Sequence, residues 1–293
     1  MDLGVLKPGR VRTPPGAAAK PEPLHPRPPL LRSGAMTAPV TAPTRPVPED
    51  IAAAARTWAA GLVAACGEDL EALYVYGSAL GPGFDRSASD VNLLLVVRAL
   101  PFARLEAIAA AAAALPSVAD QPAGTYRFTP LVLTRHNLES SADVFPIDFL
   151  DLKERRGLLT GTDLLAGLEV PLAHLRHQCE YELRSRFIGL RQAFLRSGGA
   201  PGNAHALTLR AAGASASLFR HLLTLRGQPH PEEAEELARA VAAAWRVDAD
   251  GLDGPFAARR DPAPDEATAR RRFGAYLDAL DQLIRAVDSD SPR

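Results

Sequence analysis

Apolar and polar positions change period several times along this chain, and each change predicts an element. From Glu49 to Cys66, Ile51, Trp58, Leu62 and Val63 recur at helical spacing behind Pro48 and two acids, which predicts a helix that Gly67 closes. Leu73-Tyr74-Val75-Tyr76 and Val91 to Val97 are short continuous apolar runs bounded by Gly, Pro and Ser, the pattern of buried strands. The Gly81-Pro82-Gly83 stretch between them predicts a loop. An Ala-rich helix is expected over 101–115 and a third strand over 124–133, where Pro130 points to an edge or a bulge. Thr134 suits the cap of a short helix running to Ser141. The Val144–Asp151 run reads as a fourth strand, with Pro146 again pointing to an edge.

From Pro171 the period becomes helical throughout. Leu172, Leu175, Cys179, Leu183, Phe187, Leu190 and Phe194 form one stripe, and Leu207, Ala211, Ala214, Leu218, Leu222 and Leu225 a second. Pro231 and the acids after it open a third helix, and Phe273, Leu277, Leu280, Ile284 and Val287 mark a last one. Three or four amphipathic helices with short connections predict a bundle. The chain therefore reads as α+β: a sheet with flanking helices over 49–166, then an all-α bundle over 167–293.

Composition sharpens the ends of this division. Residues 1–48 hold 12 of the 26 prolines and no aromatic residue, which predicts a disordered tail. Met36 lies inside it, and the composition favours Met36 as the initiator over a translated 1–35. The tail carries seven basic and two acidic residues, whereas 49–166 carries nine basic and fifteen acidic. With a net charge of −1 overall, nothing predicts a nucleic-acid partner, and the acidic half suits metal ions and cationic acceptors better than a polyanion. Cys66 and Cys179 are distant and form no ligand spacing or disulfide framework, so a reducing cytoplasm is the expected location. No apolar run approaches the ~18 residues of a membrane helix, so no membrane partner is expected.

The candidate chemistry sits between the first two strands. Residues at i and i+2 of a strand share a face, so Asp90 and Asn92 stand together at the head of the second strand, with Gly77-Ser78 ending the first. A glycine turn lets backbone approach a phosphate, Ser78 can donate to it, and oxygen ligands on one face suit Mg2+. Hydrophobic strand, Gly77-Ser78, a spacer and then Asp90-x-Asn92 in a second strand resembles the signature of the nucleotidyltransferase superfamily, including its small aminoglycoside-modifying members. That signature has Asp-x-Asp or Asp-x-Glu, so Asn92 replaces a carboxylate. The resemblance covers roughly 50–166 and extends to Arg156-Gly157-Leu158-Leu159-Thr160-Gly161.

The resemblance implies a mixed sheet and a third carboxylate from a later strand, for which Asp148 is the candidate and Asp151 the fallback. It implies a two-ion Mg2+ site on Asp90, Asn92 and Asp148, catalytic roles for Asp90 and Asp148, and phosphate binding by Gly77 and Ser78. The expected activity is transfer of a nucleoside monophosphate from a nucleoside triphosphate to a hydroxyl of a small molecule or protein. Asn92 leaves a second reading open: a catalytically inactive nucleotide-binding or protein-interaction module. A homodimer is compatible with either.

Other charged positions carry weaker expectations. Arg86, Lys153, Arg155 and Arg156 are candidate phosphate contacts, as are Arg184 and Arg186. His174, His177 and Glu180 share a helix face, and His136 is read as a surface helix residue. None of the seven histidines has an arginine at the upstream spacing of HEPN ribonucleases, which argues against an embedded nuclease of that type.

Overall fold

The computed structural model describes residues 44–290 apart from 82, 83, 85, 87, 88, 116–124 and 263. The described residues fall within one compact unit. The expectation of disorder for the tail lies outside the described residues over 1–43. Residues 44–48 depart from it: Arg45 N–H donates to the Arg156 carbonyl at 2.7 Å, and its guanidinium reaches the carbonyls of Glu154 and Leu80.

The order of elements is α1 (Glu49–Cys66), β1 (Leu70–Tyr76), a 3-10 turn (Gly77–Leu80), β2 (Val91–Val97), α2 (Phe102–Ala113), β3 (Phe128–Thr134), α3 (Arg135–Ser141), α4 (Pro146–Glu154) and β4 (Arg156–Gly161). Five helices follow: α5 (Leu172–Arg196), α6 (Asn203–Thr224), α7 (Ala234–Trp245), α8 (Ala249–Arg260) and α9 (Glu266–Ser289). The sheet has the order β3-β2-β1-β4 and is mixed, with β2 and β3 parallel and the other pairs antiparallel. Pro130 lies in the edge strand β3, where its missing N–H breaks no ladder on the open side. Thr134 caps α3 in a reciprocal box with Asn137.

The sheet is buried on both faces, which explains why its central strands are apolar at every position rather than alternating. One face carries Leu73, Val75, Leu93, Leu95 and Val97 against α1 and α2. The other carries Tyr74, Tyr76, Leu94 and Val96, and its core continues without a break through α4 into the helical region. Leu93, Leu94 and Leu95 are fully buried, and each stabilises the fold by about 1.5–3 kcal/mol relative to exposure.

Two sequence expectations are corrected. The 144–151 segment forms the helix α4 and not a strand, with Pro146 at its start and Asp148 in its first turn. The fourth strand is instead β4, the segment expected only to follow it. The second correction is α8, an element the periodicity did not predict. Pro255 sits inside it, and Gly251 and Gly254 let it lie against α9: a Cβ on Gly251 would fall 2.5 Å from the Ala275 carbonyl oxygen. No helix among the described residues is long and apolar enough to cross a membrane.

Candidate active site

The site is built where β1 ends and β2 and β3 begin. Strand β1 stops at Tyr76 because Gly77 turns left-handed, at φ 83°, into the 3-10 turn that exposes Ser78. The Gly77 N–H is held by the Arg155 carbonyl at 2.9 Å. A Cβ on Gly77 would sit 3.2 Å from Nδ2 of Asn92, so the turn lies directly against that side chain. Tyr76 pairs with Asn92, and Asn92 with Thr129. The pleat therefore sends Tyr76, Asn92 and Thr129 to one face, with Asp90 and Arg127 one step before them on the same side. Gly77, Ser78, Asp90 and Asn92 are thus brought together as expected.

Asp148 comes to the same side by another route. Helix α4 packs on this face through Ile147 and Leu150, and Asp148 is close enough to Tyr76 to act on its charge state. Burial, with Asp148 adding to it, pushes the Tyr76 hydroxyl up to about 12, so it stays neutral and can donate. Burial also raises the Asp148 carboxyl above its ordinary range. Gln178 of α5 opposes this only through a long 3.5 Å contact, while Asp151 and Glu182 add to it. The fallback acid Asp151 is committed elsewhere: it accepts from Ser217 at 2.5 Å and contacts Arg220 and His221 of α6 at 3.1 and 3.0 Å.

The third strand contributes what sequence reading missed. Nε of Arg127 lies 2.8 Å from Oδ1 of Asp90, yet it is buried without an aligned acceptor, so the contact is ionic rather than a well-formed hydrogen bond. The Thr129 hydroxyl lies 3.4 Å from Oδ2 of Asp90. Only the register of β2 on β3 reveals this. A parallel pairing between strands thirty residues apart leaves no local signal.

The donors expected for Mg2+ are Asp90, Asn92 and Asp148. Mg2+ takes one or two carboxylates and completes its shell with phosphate oxygens and water. Asp90 and the Asn92 amide oxygen meet that need for one ion. Asp148, over the same face, is the further acid for a second ion, while Arg127 just before β3 and Thr129 within it add none. No group of three His, Cys, Asp or Glu among the described residues could hold a metal.

The remaining charged candidates serve the fold. Arg156 is 1% exposed and grips Asp163 through two bonds of 2.9 and 2.8 Å. Lys153 donates to the Leu168 carbonyl at 2.6 Å. Arg184 pairs with Asp288, Arg186 with Glu182, and Glu180 with Arg176. Arg86 lies over the Tyr126 ring at 3.9 Å and pairs with Asp50. Of these candidates Arg155 remains beside the Gly77–Leu80 turn, with Nη1 3.0 Å from where a Gly81 Cβ would stand and Nη2 on Glu232 at 2.6 Å.

No protein-family model and no curated protein sequence matches the chain. Among solved structures it is similar to the spectinomycin adenyltransferase AAD(9) from Enterococcus faecialis, in complex with ATP and spectinomycin. That likeness has a TM-score of 0.52 and 12% identity, and spans 80% of this chain and 98% of that one. A nucleotidyltransferase-like protein from Exiguobacterium sibiricum is 18% identical over 80% of this chain and 74% of its own, at a TM-score of 0.34 that is too low to bear on the fold. With its mixed four-stranded sheet, flanking helices and helical C-terminal region, the chain has the nucleotidyltransferase fold.

Proposed function

We propose that this chain binds a nucleoside triphosphate at the Gly77–Ser78 turn and transfers its nucleoside monophosphate to a hydroxyl of a small-molecule or protein acceptor. The observation that carries the reading is the packing of the Gly77 turn against Asn92, with Asp90 beside it and Asp148 over the same face. In this reading residues 49–166 supply the nucleotide site and 167–293 cover it, in a cytoplasmic protein.

Ser78, exposed on its turn, binds phosphate oxygens. Asp90 and Asn92 would hold one Mg2+, which would supply charge neutralisation at the reacting phosphorus. Asp148 takes the proton of the attacking hydroxyl, a task that its raised pKa favours because a more basic carboxylate is the better acceptor. Tyr76, neutral at physiological pH, donates to the same region.

The test is pyrophosphate release with ATP or GTP and hydroxyl acceptors. Spectinomycin comes first, since it and ATP are bound in the similar adenyltransferase. Asp90→Ala should abolish release; full activity in that variant would remove the site assignment. A second reading, a nucleotide-binding module without turnover, is favoured by one observation: Arg127 already occupies an oxygen of Asp90. It expects triphosphate binding without pyrophosphate release under any acceptor.

A further inference from the structure

The platform differs from a three-carboxylate platform in charge. Asp90 carries one negative charge, which the Arg127 guanidinium beside it offsets, and Asn92 and Thr129 carry none. With Asp148 over the same face, the site holds at most one net negative charge where three unpaired carboxylates would hold three. A triphosphate is a polyanion. A strongly acidic platform repels it until divalent ions intervene, whereas one with its own guanidinium repels it far less.

The placement of Arg127 is fixed by the strands. Val91 pairs with Phe128 in the parallel β2–β3 ladder, and the Val91 N–H donates to the Arg127 carbonyl at 2.7 Å. Arg127 therefore stands beside Asp90, one step below the Asn92–Thr129 pair that faces the Gly77 turn. Its side chain is 29% exposed and that of Asp90 44%, so both remain reachable. An ion pair this exposed is weak, and this one also lacks hydrogen-bond alignment at Nε. A guanidinium can exchange such a contact for a phosphate, whose oxygens match its planar fork.

We propose that Arg127 is the resident cation of this site. It contacts the phosphates of a bound nucleoside triphosphate and takes over the charge that a second metal ion would otherwise bring, so that triphosphate binding persists without divalent metal. The proposal rests on the nucleotide reading above and deepens it: the chain recognises the triphosphate through a protein cation.

The experiment is calorimetric titration of the full chain with ATP and with GTP, in EDTA and in Mg2+, for the natural chain, Arg127→Met and Arg127→Lys. Binding in EDTA should lie within about threefold of binding in Mg2+, and Arg127→Met should weaken it in EDTA by about tenfold or more. Arg127→Lys, which keeps the charge without the fork, should fall between the two. Circular dichroism of each variant separates lost binding from lost folding, and the EDTA titration of the natural chain stands without any variant. Binding that needs Mg2+ and ignores Arg127→Met would overturn the resident-cation proposal and leave the nucleotide reading in place. No triphosphate binding in either buffer would overturn both.

Discussion

Asp148 is a carboxyl that the fold prefers neutral, and this sets function against stability at one residue. Burial raises its pKa, as do Asp151 and Glu182. The folded state therefore gains from Asp148 only while it is protonated, and that gain is lost as pH rises through its folded value. At neutral pH Asp148→Asn should leave the melting temperature unchanged or raise it, and the difference should vanish below about pH 4, where the natural carboxyl is protonated in both states. The same variant should lower pyrophosphate release by about 10²–10⁴-fold, the range of a lost general base. A melting series over pH beside a turnover assay checks both halves. Gly77→Ala is the complementary case. Its φ of 83° disfavours any side chain, and the new Cβ would press on Asn92. A loss of about 1–2 kcal/mol in denaturant unfolding is expected, together with weaker triphosphate binding. The sequence disclosed Gly77, Ser78, Asp90 and Asn92 as a group because strand period and one turn determine their neighbourhood. It did not disclose Arg127, whose nearness to Asp90 depends on the pairing of two strands separated by a helix.

At the scale of elements, sequence pattern succeeded where a segment faces one environment and failed where it faces two. Helices α1, α5 and α9 show a polar side, and their stripes locate them. Helix α4 is wedged between the sheet and the later helices, so Ile147, Phe149, Leu150 and Leu152 are buried around most of its circumference. A short segment with apolar residues all round has no helical stripe, which is why Val144–Asp151 read as a strand. Pro146 at the start and an acid in the first turn were the better signal. Helix α8 hid for the opposite reason: Gly251, Gly254 and Pro255 interrupt its apolar pattern, yet the glycines make its contact with α9 close. Gly251→Leu should therefore act as an overpacking mutation. A Cβ alone would stand 2.7 Å from the Ala279 Cβ, and the larger side chain must part α8 from α9. A loss of about 1–3 kcal/mol is expected in chemical denaturation, with Asp250→Leu at the adjacent exposed position as the control.

Across the whole molecule, the question is whether the sheet half and the helical half are separate folding units. Their shared core argues that they are not. The face of the sheet bearing Tyr74, Tyr76, Leu94 and Val96 is covered by α4 and reaches Leu218, Leu222, Trp245 and Leu280 through continuous contact. Asp151 adds a polar tie between α4 and α6. Burial would raise its pKa, but His221, Arg220 and Ser217 hold it well below the carboxylate range. Its contribution is thus present above the unfolded value near pH 4 and is lost as pH falls below that. Asp151→Ala, which strands Arg220 and His221, should cost about 3–5 kcal/mol at neutral pH and flatten the acid limb of the stability profile. The two tryptophans report the halves separately. Trp58 lies on α1 against Phe128 with ring centroids 5.3 Å apart, and Trp245 lies buried on α7 with its indole N–H on the Leu222 carbonyl at 3.2 Å. Trp58→Phe and Trp245→Phe give two single-reporter chains. If one core spans both halves, their urea transitions relative to circular dichroism of the same variant should coincide, and a fragment of residues 44–166 should remain unfolded with its inner sheet face bare. Separated transitions would mean that α4 joins two independently folding domains.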